Sequence, residues 1–302
     1  MNPKKILVVG SSNTDMVIKT HHFPAPGETI LGGRFLMNAG GKGANQAVAA
    51  ARLGGLVTFV GKIGNDIFGI QAVEQLEDEG INVEFVSVDP EKPSGVALIT
   101  VDQKGENSIV VASGSNGTLS PADFDKALTE LDESDFVLMQ LEIPIPTVEY
   151  IARLAAQKQK KVVLNPAPAA VLSDELLQNL YLITPNETEA ELLTGVKVTD
   201  EQSALKAASL LHKKGVEVVI ITMGAAGAFL LSNGKSEIIS AQRVEAIDTT
   251  AAGDTFNGAL VVALSEGKTT REAIVFANKA AAISVTRIGA QSSVPYRKEI
   301  SN

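Results

Sequence analysis

The sequence predicts a doubly wound α/β fold: a mostly parallel sheet flanked by helices, with a small projecting β-sheet placed as a lid. Three observations carry that prediction. Short apolar runs recur along the chain with helical patterns between them, as βα units require. The runs lack strict apolar–polar alternation, which suits parallel strands covered on both faces. Two segments break the rhythm, with strand-like runs joined by turns and no helix between them.

The predicted buried strands are residues 6–9, 57–60, 136–139, 162–164, 181–183 and 218–222. Helical periodicity covers 45–53, 68–79, 121–131, 145–158, 187–193, 201–214, 253–265 and 271–285. The off-rhythm segments are 15–35 and 95–111. In the second, the run Val96, Ala97, Leu98 and Ile99 is followed by Asp102, Gln103, Lys104 and Gly105, a hairpin turn. The expected division is a main α/β domain of 1–12, 36–94 and 112–302 with a lid sheet of 13–35 and 95–111. A projecting sheet with an apolar face must cover something: a ligand, a second copy of the chain in a homodimer, or both. No internal repeat, low-complexity segment or long linker stands out.

The 302 residues allow one large domain or two smaller ones. With 45% hydrophobic and 20% charged residues, a soluble globular chain with a sizeable core is expected. A formal net charge of -9 disfavours nucleic acid and anionic membranes as partners. An anionic ligand would therefore need a local site rich in cations or N–H groups. The absence of cysteine removes disulfides, thiolate catalysis and cysteine-ligated metal. The apolar run after Met1, Asn2, Pro3, Lys4 and Lys5 is shorter than a signal peptide needs. The longest apolar stretch, 218–231, falls short of the ~18 residues of a membrane span. A cytoplasmic protein is the expectation.

The most telling stretch is Asp248, Thr249, Thr250, Ala251, Ala252, Gly253, Asp254 and Thr255, between a strand-like segment and a long helical pattern. Small residues at Ala251, Ala252 and Gly253 let a ligand approach the backbone. A helix starting there turns unpaired N–H groups and a positive dipole end toward an anion. Asp254 follows at once, either as a general base beside that anion cradle or merely as a complement to the helix dipole. A second stretch, Asn38, Ala39, Gly40, Gly41, Lys42, Gly43, Ala44, Asn45 and Gln46, has three glycines in four positions before a helical run. It is not a P-loop, because Gly43 follows Lys42 and Leu36 stands where the first glycine should be. It reads as a ligand-contacting turn with donors on Lys42 and Asn45, or as a tight strand-to-helix turn.

The first strand leads into Gly10, Ser11, Ser12, Asn13, Thr14 and Asp15 and not into a dinucleotide fingerprint. Asn13 and Asp15 lie where ligands bind in open α/β sheets, and could serve vicinal hydroxyls or an Asx turn. Asn186 and Glu189 are three apart at a helix start, and could hold hydrated magnesium or simply complement the dipole. Thr222 to Gly227 reads as a nucleotide-facing loop or a hairpin turn. His21, His22 and His212 show no metal-ligand arrangement.

Taken together, these stretches resemble the ribokinase family of carbohydrate kinases, the phosphofructokinase-B type. The resemblance runs from about residue 6 to 300. It rests on the run from Gly40 to Ala47 and on Asp248 to Asp254. The runs from Asn165 to Ala169, from Thr184 to Glu191 and from Gly289 to Gln291 add to it. It implies ATP-dependent phosphorylation of the primary 5-hydroxyl of D-ribose, giving ribose 5-phosphate and ADP.

By the same resemblance Asp254 is the base, and N–H groups around Ala251, Ala252 and Gly253 form the anion hole. Asn13, Asp15, Gly41, Lys42, Gly43, Asn45, Glu142 and Asp254 hold the sugar. Asn186, Thr222, Gly224, Gly227, Gly253 and Asn278 line the ATP site, and Asn186 and Glu189 organise Mg2+ through water. An activating monovalent cation, usually K+, falls to Asp248, Thr250, Ser284, Arg287, Gly289 and Ser293, several through backbone carbonyls. One departure is Thr250, polar where an aliphatic residue is frequent. Kinases of other sugars, nucleosides or sugar phosphates remain alternatives, as does a non-catalytic sugar sensor. A nicotinamide enzyme is disfavoured by the missing fingerprint.

Overall fold

A computed structural model describes residues 5–300. Residues 1–4 and 301–302, the ends of the expected main domain, lie outside the described residues. The strands in chain order are β1 (Lys5–Val9), β2 (Asn13–Lys19), β3 (Arg34–Gly40), β4 (Leu56–Val60), β5 (Lys62–Gly64), β6 (Ser87–Asp89) and β7 (Gly95–Val101). They continue with β8 (Asn107–Ala112), β9 (Ser134–Met139), β10 (Lys161–Leu164), β11 (Leu182–Ile183), β12 (Val218–Thr222), β13 (Ala228–Ser232) and β14 (Lys235–Ile239). The helices are α1 (Lys42–Arg52), α2 (Ile67–Asp78), α3 (Pro121–Phe124), α4 (Leu128–Glu133), α5 (Ile145–Gln157) and α6 (Asp174–Gln178). The remainder are α7 (Glu187–Thr194), α8 (Glu201–Lys213), α9 (Ala252–Ser265), α10 (Thr270–Ser284) and α11 (Arg297–Ile300).

Eight strands form the main sheet in the order β14-β13-β12-β11-β10-β9-β1-β4. From β12 through β4 every pairing is parallel. Alternate residues of each strand face opposite layers, as the pleat requires. Leu7, Val9, Val137, Met139 and Ile221 pack with α5 and α8, whereas Ile6, Val8, Phe136, Leu138 and Ile220 pack with α1, α9 and α10. Both faces are thus covered, and the six predicted strands are all present.

The sheet adds something that periodicity alone did not resolve. The apolar stretch 218–231 is two strands, β12 and β13, folded back antiparallel, and β14 extends that hairpin to the sheet edge. The helix predicted over 121–131 is broken: α3 and α4 are separated by a 3-10 turn over Asp125–Ala127.

A second sheet has the order β3-β2-β7-β8. Asp102, at the predicted hairpin turn, accepts from Lys104 N and Glu106 N, and Gly105 there takes φ 81. Strand β3 runs on to Gly40, past the boundary expected at 35. Through β2 and β3 this sheet is joined directly to the residues before α1.

In the main sheet β1 lies between β4 and β9, the point where strand order reverses. Ligands in doubly wound sheets bind outside the carboxyl ends at such a switch. The chain leaving β1 carries Ser11 to Asn13, and the chain leaving β9 carries Gln140 to Glu142.

Candidate active site

Two helix starts converge on the switch point. Helix α1 begins at Lys42 after Gly41, whose φ of 87 suits glycine. A Cβ on Gly41 would lie 2.7 Å from Asn13 N and 2.8 Å from the Ser12 Cα. Helix α9 begins at Ala252 after Ala251, which holds φ 59 and ψ 15 with no side-chain cap. That left-handed conformation costs a non-glycine residue on the order of 1 kcal/mol. It leaves first-turn N–H groups open to the cavity, although Ala252 N donates to Thr249 O at 3.2 Å.

Asp254 is buried in the first turn of α9. Its Oδ2 accepts from Asn45 Nδ2 at 3.0 Å and its Oδ1 from Gln46 Nε2 at 2.9 Å. While the Asn45 amide nitrogen donates to Asp254, its Oδ1 is buried without a donor. An orphaned acceptor beside a carboxylate suits an incoming hydroxyl.

The other sugar-site candidates gather on the same side. Asn13 opens β2, and its Oδ1 accepts from Asn116 Nδ2 at 2.8 Å. That bond turns the Asn13 amide nitrogen the other way. Asp15 is buried, and a Cβ on Gly40 would meet its carboxyl at 2.2 Å. Burial first, then Glu142 and Asp254, push the Asp15 carboxyl up to about 7 against the pull of Lys42. Glu142 accepts from Ser11 Oγ at 2.5 Å and from Lys42 N at 3.0 Å. The Lys42 ammonium is raised by Asp254 above all, by Glu142, Glu189 and Asp15 as well, and opposed by burial. Gly43 has another reason to be glycine: its Cβ would lie 2.5 Å from Ser11 N and 2.6 Å from the Gly10 carbonyl carbon. It permits helix α1 to pack on the chain leaving β1.

Beyond Lys42 and Asp254 opens a cavity of about 1000 Å³. It is lined by Asn186, Glu189, Thr222, Gly224, Gly227, Gly253 and Asn278. A Cβ on Gly253 would meet no protein atom within 4 Å, so that position is bare toward the cavity. The turn from Thr222 to Gly227 is at once the β12–β13 connection and part of the wall.

Asn186 and Glu189 form a capping box on α7, with Asn186 Oδ1 accepting from Glu189 N at 2.8 Å and Glu189 Oε2 from Asn186 N at 2.9 Å. Helix capping is therefore real here, and it also aims the pair at the cavity. Burial raises the Glu189 carboxyl and Asp254 adds to this, opposed by the Asn186 N–H and Lys42. Asn278 donates to Ile239 O at 3.0 Å, pinning the chain that leaves β14.

The expected cation residues are only partly drawn together. Asp248 accepts from Thr250 N at 2.9 Å, Thr250 Oγ1 at 2.6 Å and Gly289 N at 2.9 Å, tying the loop before α9 to the loop after α10. Burial would raise the Asp248 carboxyl, but these donors hold it below its ordinary value. The side chains of Ser284 and Ser293 are turned onto Ala281 O and Ala290 O, and the Arg287 guanidinium pairs with Glu299. Among the described residues no group of three or more His, Cys, Asp or Glu could hold a metal ion. No helix of the described residues is long and apolar enough to cross a membrane.

Sequence reasoning gave no role to several residues that hold the site. Gln46 and Asn165 lie inside recognised stretches, yet nothing in the stretches marks them as partners of Asp254. Asn116 and Gln140 carry no local signal at all. Arg243 and Gln242 line the cavity from the strap after β14.

The pattern of the pfkB family carbohydrate kinases matches residues 3–297. The chain belongs to that family. A ribokinase of Haemophilus influenzae is 53% identical over 296 residues, spanning 98% of this chain and 97% of the relative. The crystal structure of a Thermotoga maritima ribokinase matches with TM-score 0.91 at 42% identity, over 99% of this chain and 98% of the other. An Arabidopsis thaliana ribokinase complexed with ribose and ATP matches with TM-score 0.93 at 34% identity, over 99% and 97%. This pfkB family chain carries its candidate base on the wall of the large cavity, where α1 reaches it through Asn45 and Gln46.

Proposed function

We propose that the chain is a ribokinase, transferring the γ-phosphoryl group of ATP to the 5-hydroxyl of D-ribose. The observation that carries the reading is Asp254, held by two amide donors at the wall of the large cavity. The sugar sits among Asn13, Asp15, Gly41, Lys42, Asn45 and Glu142, with ATP in the cavity walled by Asn186, Thr222, Gly224, Gly227 and Gly253. Asp254 accepts the hydroxyl proton as the sugar oxygen bonds to the γ-phosphorus and the bond to the ADP oxygen breaks. Open N–H groups at the start of α9, with Lys42, take up charge on the transferring group. The small sheet excludes water from the closed site.

The residues also suit the two expected ions. Glu189 and Asn186 offer hard oxygens beside the place for the phosphates, which fits Mg2+ held largely through water. Asp248, a single carboxylate near backbone carbonyls, fits a weakly held monovalent cation such as K+ better than a divalent one. Both ions would supply positive charge, Mg2+ at the phosphates and K+ behind the loop before α9. A homodimer through the small sheet and a cytoplasmic setting belong to the same proposal.

The test is ADP release with ATP, magnesium and potassium, comparing D-ribose with other sugars, nucleosides and no acceptor. Release strongest with ribose is expected. A signal only with another acceptor would move the error to the residues around Asn13, Asp15 and Glu142. Silence throughout would favour a non-catalytic sugar sensor. Asp254→Asn should fold normally and lose roughly 10²–10⁴-fold in kcat, the range of a general base. A near-normal rate would remove the assignment.

A further inference from the structure

Behind the candidate base lies a chain of buried amides that the phosphoryl transfer itself does not require. Gln46 and Gln140 are both fully buried. The two hydrogens of Gln46 Nε2 go to Asp254 Oδ1 at 2.9 Å and Asn165 Oδ1 at 3.0 Å. Its Oε1 accepts from Gln140 Nε2 at 2.6 Å. Asn165 in turn donates to Thr184 O at 3.3 Å. A flip of the Gln46 amide would break all three of its bonds.

This arrangement is costly for a purely structural role. Burying an amide in a core is unfavourable unless it is satisfied, and an apolar side chain would fill the space without that cost. One member of the chain, Gln140, leaves its Oε1 buried with no partner. Its orientation is fixed by donating to Gln46. Asn45 and Gln46 are consecutive on α1, so their side chains diverge around the helix and straddle the carboxylate. Each Asp254 oxygen keeps a lone pair for a substrate hydroxyl.

We propose that Gln46, locked from behind by Gln140 and Asn165, is a positioning residue that holds Asp254 in the orientation from which it takes the hydroxyl proton. The inference rests on Asp254 being the base. The charged groups acting on or near Asp254 are Lys42 from α1, Asp15 from β2, Glu189 from α7 and Glu142 after β9. All of them stay unchanged in the variants below.

The experiment compares the parent, Asp254→Asn, Gln46→Met and Gln46→Glu in kcat, in KM for sugar and ATP, and in the pH profile of kcat, with thermal unfolding measured alongside. Gln46→Met should lose roughly 10–100-fold in kcat, part of the base's contribution. Both KM values should stay within about 3-fold, and the acid limb of the profile should move to higher pH as a donor to the carboxylate is lost. Combined with Asp254→Asn, it should cost nothing further. Gln46→Glu keeps the shape. When protonated it still donates to Asp254, so its kcat should fall as pH rises and the added carboxyl ionises. A folded Gln46→Met with parental kcat and limb overturns the proposal. Should Gln46→Met fail to fold, a parental pH profile in Gln46→Glu overturns it. Loss of activity in Asp254→Asn beside either parental result refutes Gln46 alone, whereas full turnover in Asp254→Asn refutes the base itself.

Discussion

Asp15 shows how a single buried carboxyl links stability to binding. It is paired with no cation closely enough to offset burial, Glu142 and Asp254, and its carboxyl is pushed up to about 7. In the unfolded chain it titrates near its ordinary value of 3.8. Between those pH values the folded state holds the extra proton. The contribution of Asp15 to stability is therefore full below 3.8 and is lost as pH rises to about 7. Each pH unit of displacement corresponds to about 1.4 kcal/mol. Asp15→Asn should accordingly raise the unfolding midpoint at pH 8 and leave it nearly unchanged at pH 4, read by thermal melts at both. Sugar hydroxyls donate best to the ionised form, so kcat/KM for the sugar should climb through about pH 7 in the parent. The variant should lose that limb and raise KM by roughly 10–100-fold, the worth of hydrogen bonds to a charged group.

At the scale of elements, the two helix starts use glycine for different ends. The missing Cβ of Gly43 is filled by the backbone of Gly10 and Ser11. Gly43→Ala should destabilise the protein by about 1–3 kcal/mol through overpacking, seen as a lower melting temperature. The missing Cβ of Gly253 faces open cavity, and its backbone is helical. Gly253→Ala should melt at or above the parent temperature, because alanine favours a helix by about 0.8–1 kcal/mol over glycine. Its KM for ATP should nonetheless rise by roughly 10-fold, or its kcat fall as much, because the methyl enters the phosphate space. The loops around α9 and α10 supply a further prediction. Asp248 ties them through Gly289, and a cation held there would stiffen the start of α9. Rates should be several-fold higher in potassium than in sodium, and Asp248→Asn should abolish that difference; equal rates in the parent would remove the cation.

Across the whole molecule, both faces of the small sheet carry apolar side chains, and the site-facing one also carries Val17, Ile99, Ile109 and Val111. Paired positions share a face, so Asn38, Asp15 and Ala97 look toward the site. The opposite face carries Met37, Met16, Leu98 and Val110, with Phe35 and Ile18 beside them. Its exposure reaches 58% at Phe35 and 65% at Val110, a patch a monomer rarely leaves bare. Light scattering at micromolar concentration should give a dimer for the parent and a monomer for Leu98→Lys. A monomeric parent would sink this.

Much of this protein was legible in the sequence because its signals are local. Apolar runs of strand length marked β1, β4 and β9 to β12, since a parallel sheet buried on both faces needs near-continuous apolar strands. Small residues and glycines before Lys42 and Asp254 marked both helix starts, since close approach excludes Cβ atoms. A hairpin turn was one of the two readings of Thr222 to Gly227, but the strands β13 and β14 beyond it were not marked, because 218–231 reads as one apolar stretch broken only by Thr222 and glycines. What the tertiary structure alone decided is the company each group keeps. Gln46, Asn116, Gln140 and Asn165 reach the site across sequence separations no motif spans, and the contact of Gly43 with Gly10 and Ser11 is equally long-range. Composition and period determine which segments must be buried. Which buried carboxylate is held, raised or left facing a ligand depends on distances set only when the layers close.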